Sequence, residues 1–153
     1  MACSYSPKDE ALRFIQALTG YTPNDPSLLW EALQVAGNGN TPGRNDGNKD
    51  LALVGDAILS LHVIIEGRQR HQCRERINKV ESSLGANSSL ARKGFKLGLE
   101  AYIQGNQSQR GEISGRTMAT TMEAIIGAIF IDSGCDYSVL PDVMARLGLG
   151  WPQ

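Results

Sequence analysis

An all-α fold is what this sequence predicts, and three observations predict it. Apolar residues recur at spacings of three and four in successive blocks, which is the repeat of an α-helix. No stretch of useful length alternates apolar and polar residues with the period of two that a strand requires. Turn formers gather between the apolar blocks, so a bundle of about seven helices and their connections accounts for the chain.

The first helix is expected from about Lys8 to Leu18, where Leu12 and Ile15 with Ala11 and Leu18 form the apolar stripe and Gly20 stops it. In YTPNDPSLLWEALQVAG, Asp25 can cap a second helix with Pro26 at its first position and Leu28, Leu29, Ala32 and Leu33 as its stripe. The run GNGNTPGRNDGN, Gly37 to Asn48, is almost pure turn formers and predicts a flexible loop. A third helix starts near Asn48 and passes Ile65, because Leu51, Val54, Ile58, Leu61 and Ile65 keep helical spacing; being apolar nearly all round, it is expected at the centre. Shorter helices follow from Arg74 to Leu84 and from Ser88 to Leu97, the latter capped by Asn87 or Ser88 and ended by Gly98. After a polar loop from Gln104 to Gly115, a long helix runs from Thr117 to Ser133, where Gly134 ends it, and a last one from Tyr137 to Leu147.

Composition bounds the function classes. A length of 153 residues suits one domain spanning 1–153. Hydrophobic residues at 41% and charged residues at 20% exclude disorder, collagen and a coiled coil. The longest apolar runs, Leu51 to Val54, Ala57 to Ile65 and Ala124 to Ile131, fall short of the ~20 residues of a membrane span, so no membrane partner is expected. The start, MACSYSPKDEALRF, has no apolar core and carries acids early, unlike a secretory signal or a transit peptide, so an intracellular location is expected with the compartment open. Cys3, Cys73 and Cys135 are widely spaced and odd in number, which suggests reduced thiols rather than a disulfide framework or a zinc site.

A formal net charge of −1 means that any grip on phosphate must rest on a local patch. RQRHQCRERINK supplies one, with Arg68, Arg70, Arg74, Arg76 and Lys79 against the single acid Glu75. Such a run is also what a solvated helix face looks like. His71 lies within it, whereas His62, on the apolar third helix, reads as a core histidine rather than a ligand. The Gly-rich loops lack a G-K-[ST] ending and form no phosphate cradle.

NKDLALVGDAILSLHV, Asn48 to Val63, resembles the signature helix of ribonuclease III domains, usually N-E-R-L-E-F-L-G-D-A, and ATTMEAIIGAIFIDSG, Ala119 to Gly134, resembles the family's A-D-T-F-E-A-L-I-G-A-I-Y-L-D-x-G. Between them INKVESSLGANSSLARKGFKLGLEAYI is similar to the connecting helices, and GYTPNDPSLLWEAL fits the first helical hairpin, so the match covers most of the chain. The resemblance implies the endonuclease-domain fold, here without a separate double-stranded-RNA-binding domain. It also implies a symmetric homodimer that holds duplex RNA between its subunits and cuts one strand per subunit with magnesium or manganese.

Phosphodiester hydrolysis by two divalent ions ~3.5–4 Å apart needs hard oxygen ligands. The resemblance assigns four acids to that task, and two survive: Asp56 and Glu123. Ala52 and Thr120 stand where the other two belong, at i−4 and i−3, on the same helical faces as the survivors. Lys49 replaces a further glutamate of the signature, seven residues before Asp56, where an ammonium can neutralise it and leave a salt-linked remnant of a metal centre. Asp50 is a possible replacement ligand, although its spacing turns it well around the helix from Asp56. If any metal binds, Asp56 and Glu123 are the ligands.

Three functions stay open at this point. The leading one is a non-cleaving homodimer that binds duplex RNA, alone or within a ribonucleoprotein. The second is an active magnesium-dependent double-stranded-RNA endoribonuclease using Asp56 and Glu123. The third is a helical protein–protein interaction module.

Overall fold

The computed structural model describes residues 4–39, 46–105 and 112–153. Among them are seven α-helices: α1 (Pro7–Thr19), α2 (Pro26–Ala32), α3 (Lys49–Gln69), α4 (Arg74–Gly85), α5 (Asn87–Lys96), α6 (Gly115–Asp132) and α7 (Leu140–Arg146). Short 3-10 turns cover Leu99–Tyr102 and Tyr137–Val139, and the sole pairing of extended backbone among the described residues is one bridge between Gln34 and Gln104. The expected all-α class and its helix count are what the structure has.

Local chemistry explains where the helices begin. Ser6 and Asp9 form a reciprocal capping box on α1, and Gly20 closes it in the left-handed region at φ 71°. Asp25 caps α2 by accepting the Ser27 amide, with Pro26 at the start. The start of α6 falls two residues before the expected Thr117, because Ser114 accepts the Thr117 amide at 3.1 Å. Neither Asn87 nor Ser88 caps α5; Ala86 holds the cap position without a side-chain bond, and Asn87 is already helical. The last expected helix opens as a 3-10 turn capped by Asp136 and becomes α-helical only at Leu140, followed by Pro141.

The central helix is α6 rather than α3. From Met118 to Ile129 nearly every side chain of α6 is buried. By contrast α3 buries one face, with Leu51, Ala52, Gly55, Ile58, Leu59, His62 and Val63, and turns another outward, leaving Leu53 74%, Leu61 45% and Ile64 44% exposed. An apolar composition all round therefore did not mean burial all round.

Two glycines set how α3 meets α6. A Cβ on Gly55 would overlap the carbonyl oxygen of Glu123, and one on Gly127 would overlap the carbonyl oxygen of Leu51. The two backbones thus touch where any other residue would hold them apart. Asn48, expected at the end of a flexible loop, is instead 3% exposed: its amide side chain donates to the Ala32 carbonyl at 2.8 Å and to Thr121 Oγ1 at 3.3 Å, tying α2, α3 and α6 together. Residues 40–45 of that loop, and 106–111 of the later one, lie outside the described residues.

Asp132, at the end of α6, anchors the α1–α2 connection. Its carboxylate accepts the Tyr21 hydroxyl at 2.6 Å and the amides of Asn24 at 2.7 Å and Asp25 at 2.6 Å. These donors hold its pKa below the usual carboxylate value although burial pushes the other way.

Two stability tests follow from this packing. Gly55→Ala must separate α3 from α6 and is expected to cost upwards of about 4 kcal/mol, enough to abolish a cooperative thermal transition by circular dichroism. Asp132→Ala strands three donors and should cost about 2 kcal/mol, lowering the melting temperature by roughly 6 °C in calorimetry, with Asp132→Asn losing less.

Candidate functional site

The crossing of α3 and α6 opens on one side into a cleft of about 750 Å³. From α3 it is lined by Lys49, Asp50, Ala52, Leu53 and Asp56, and from α6 by Arg116, Thr117, Thr120 and Glu123. The segment leading into α3 adds Asp46 and Asn48. Asp56 follows Gly55, whose Cα packs on the Glu123 backbone, so the glycine contact that closes the core also brings the two surviving acids to one place.

Their proximity has an electrostatic signature. Burial, and then the negative charge of Asp56, push the Glu123 carboxyl up from 4.5 to about 7. Glu123 is half-buried and Asp56 exposed, so the repulsion is partly relieved by water. No ion pair joins Lys49 to Asp56 or to Glu123 among the described residues, and the salt-linked remnant anticipated from the sequence is not formed. Lys49 lies instead at the exposed rim.

Ala52 and Thr120 line the same cleft, as helical spacing required. Ala52 brings a methyl group and Thr120 a neutral hydroxyl to the positions that the resemblance gives to carboxylates. Among the described residues, no group of three or more His, Cys, Asp or Glu side chains is gathered closely enough to hold a metal ion. Asp56 and Glu123, the latter taking a proton near neutral pH, are by themselves a poor match to a two-ion site, and Asp46 and Asp50 do not gather with them into a ligand group.

Two charged lining residues, Arg116 and Asp46, escaped the sequence reading. Arg116 is seven residues before Glu123, as Lys49 is before Asp56, so each surviving acid has a base two turns back on its own helix. That shared spacing was the available signal. Asp50, set aside because it is turned away from Asp56 along the helix, still reaches the cleft, because the opening extends past the start of α3 towards Asp46.

The basic residues lie elsewhere. Arg68 is in the last turn of α3, Arg70 caps it, and Arg74, Arg76 and Lys79 belong to α4, all exposed. At ~1.5 Å per residue, Arg68 is about 18 Å along α3 from Asp56. Arg70 is paired with Glu66 at 3.2 Å, and Arg68 and Arg74 border a shallow crevice with Ile64 and Ile77. His71 is exposed. His62 is 3% exposed, with Nδ1 3.1 Å from the Tyr137 hydroxyl and Nε2 3.3 Å from Glu66, and burial lowers its pKa against the pull of Glu66; it is a core histidine with partners. Cys73 and Cys135 are free thiols, and no helix among the described residues is long and apolar enough to cross a membrane.

With this geometry in hand, the ribonuclease III domain model matches residues 49–134, the stretch that contains both walls of the cleft. The chain belongs to the ribonuclease III family. Among curated proteins it is 33% identical over 122 residues to Ribonuclease 3 of Coxiella burnetii, covering 76% of this chain and 50% of that protein. To Ribonuclease 3 of Oleidesulfovibrio alaskensis it is 32% identical over 146 residues, covering 91% of this chain and 63% of the relative. The chain thus spans about half the length of the Coxiella relative. The nuclease domain of ribonuclease III from Campylobacter jejuni has the same fold, with a TM-score of 0.76 at 23% identity over 89% of this chain and 94% of that one. A second structure of that nuclease domain superposes with a TM-score of 0.72 at 21% identity, over 92% of this chain and 96% of that one.

The raised Glu123 carboxyl has a measurable consequence. Its proton is bound up to about pH 7 in the folded chain and only to about 4.5 when exposed, so the stabilisation is complete below 4.5 and is lost as pH rises through 7. Glu123→Gln should remove that slope and raise stability at about pH 8 by about 1 kcal/mol, after allowing for solvent screening at a half-exposed group. Calorimetry between about pH 5 and pH 8 checks this, and an unchanged slope in the variant contradicts it.

Proposed function

We propose that this ribonuclease III-family chain is a homodimeric, double-stranded-RNA-binding domain whose cleavage activity is lost or strongly reduced. The observation that carries this reading is the lining of the cleft: Ala52 and Thr120 sit beside Asp56 and Glu123 and supply no carboxylate. Hydrolysis by divalent ions depends on oxyanions that fix the ions and their water. The two remaining acids are held together by the glycine crossing, but two bases, Lys49 and Arg116, share their cleft and lower its attraction for a cation.

The exposed face of α3 supports the dimer. Leu53, Leu61 and Ile64 form an apolar stripe on one helix, of the kind that marks an interaction surface. The Campylobacter nuclease domain is described as having a region involved in dimer formation. Duplex RNA is the ligand that the family suggests, and the exposed basic residues of α4, Arg76 and Lys79, with Arg70, offer it phosphate contacts.

One observation favours the second reading, an active enzyme: burial and then the charge of Asp56 lift Glu123, a strain on its charged form that a bound magnesium or manganese ion would relieve, and magnesium can keep water in place of missing ligands. Asp56 and Glu123 would hold such an ion.

Long duplex RNA incubated with either metal separates the two. The wild-type chain is expected to cut no faster than an Asp56→Asn, Glu123→Gln double variant, while Ala52→Glu with Thr120→Asp gains at least about tenfold. Cutting by the wild type that disappears in the double variant overturns the proposal in favour of the enzyme. Arg76→Glu with Lys79→Glu should weaken duplex binding and flatten its salt dependence by about two phosphate contacts. Absence of any salt-dependent binding by the wild type supports an interaction module instead. Leu53→Asp is expected to convert the dimer to a monomer in size exclusion with light scattering, and a wild-type monomer contradicts the dimer.

A further inference from the structure

The bases of the cleft carry as much information as its acids. Lys49 and Arg116 are exposed and line the same opening as Asp56 and Glu123. Among the described residues neither side chain makes an ion pair, so both charges are open to a ligand. One base enters from each wall, Lys49 in the first turn of α3 and Arg116 in the first turn of α6, where the positive end of the helix dipole adds to the side-chain charge. Each stands about 10 Å along its own helix from the acid seven residues later, at ~1.5 Å per residue.

The replacements in the cleft also share a direction. Compared with the family signature, Lys49 and Ala52 take the places of glutamates and Thr120 that of an aspartate. Lys49 makes the lining more positive by two charges, and Ala52 and Thr120 by one each, which together equal the charge of two divalent ions. Side chains thus supply the neutralisation that a metal pair would bring from outside.

We propose that Lys49 and Arg116 hold backbone phosphates of duplex RNA at this cleft with no metal ion between protein and phosphate. The proposal rests on the duplex-RNA reading above and names the groups that do the binding at the cleft. Arg116 offers parallel N–H donors to phosphate oxygens and Lys49 a point charge, so the contact fixes the backbone without reading bases. Thr120 brings a hydroxyl donor where a carboxylate would repel the phosphate. The remaining acids leave room for this. At physiological salt the Debye length is about 8 Å, shorter than the spacing of either base from its acid along the helix, so an anion on the base is largely screened from the acid pair. Asp50, beside Lys49, is turned onto its own helix, its carboxylate accepting the Leu51 amide at 2.8 Å.

The probe is a short fluorescent RNA duplex, titrated with the protein by anisotropy in excess EDTA and in magnesium at matched ionic strength. Wild-type affinity in EDTA is expected to lie within about threefold of that in magnesium. Lys49→Gln with Arg116→Gln should weaken binding in EDTA at least about tenfold and lower the salt slope by about two phosphate contacts, whereas Lys49→Arg with Arg116→Lys keeps both. Lys49→Glu with Ala52→Glu and Thr120→Asp should bind in EDTA no better than the Gln pair, because the four negative charges return. If circular dichroism shows the Gln pair unfolded, Lys49→Gln and Arg116→Gln singly are each expected to lose about threefold. Wild-type binding that vanishes in EDTA, or that the Gln substitutions leave untouched, overturns the metal-free contact and leaves RNA binding standing. No salt-dependent binding in either buffer overturns both.

Discussion

Close contact between α3 and α6 at Gly55 and Gly127 is the constraint from which the rest of the structure follows. Each glycine faces a carbonyl oxygen of the opposite helix at a distance that leaves no room for a Cβ. Most of the core is assembled around this axis, with α2 and α5 also packed on α6 and α4 packed on α3. Because Asp56 is the neighbour of Gly55 and Glu123 is the residue whose backbone Gly55 touches, the same contact forces two carboxylates into one cleft. Core geometry and site geometry are therefore one problem, and the acids cannot be moved apart without loosening the helix pair.

Crowding of charge is what such a cleft must manage. Four ionised carboxylates on these facing turns would repel one another strongly without a cation. In this chain two of the four positions are neutral, and Glu123 takes a proton near pH 7 under the influence of burial and Asp56. Lys49 and Arg116 stand at the rim without pairing directly with either acid and reduce the net charge of the lining. The cleft is consequently less acidic than carboxylates at all four positions would make it.

The two sides of α3 divide the work. Its inner face is committed to α6, and its outer face presents apolar residues to solvent between an acidic and a basic end. An exposed apolar stripe of this kind is what interaction surfaces present. The basic segment at the α3–α4 corner lies about 18 Å along the helix from Asp56 and is exposed.

Much of this was legible in the residues. Periodicity located the helices to within a few positions, the family resemblance marked Asp56 and Glu123 as its retained acids, and i−4 and i−3 spacing placed Ala52 and Thr120 beside them, because helical facing is a local property. Other features depend on atoms distant in sequence. That α6 rather than α3 is central, that Asn48 is locked between Ala32 and Thr121, that Asp132 gathers Tyr21, Asn24 and Asp25, and that Lys49 remains unpaired with Asp56 were all decided by packing. Sequence by itself determined which side chains share a helical face, since that needs only the 3.6-residue turn. Tertiary structure alone decided which face is covered and which charges meet, since burial and Coulomb energy depend on separations that exist only after the helices have crossed.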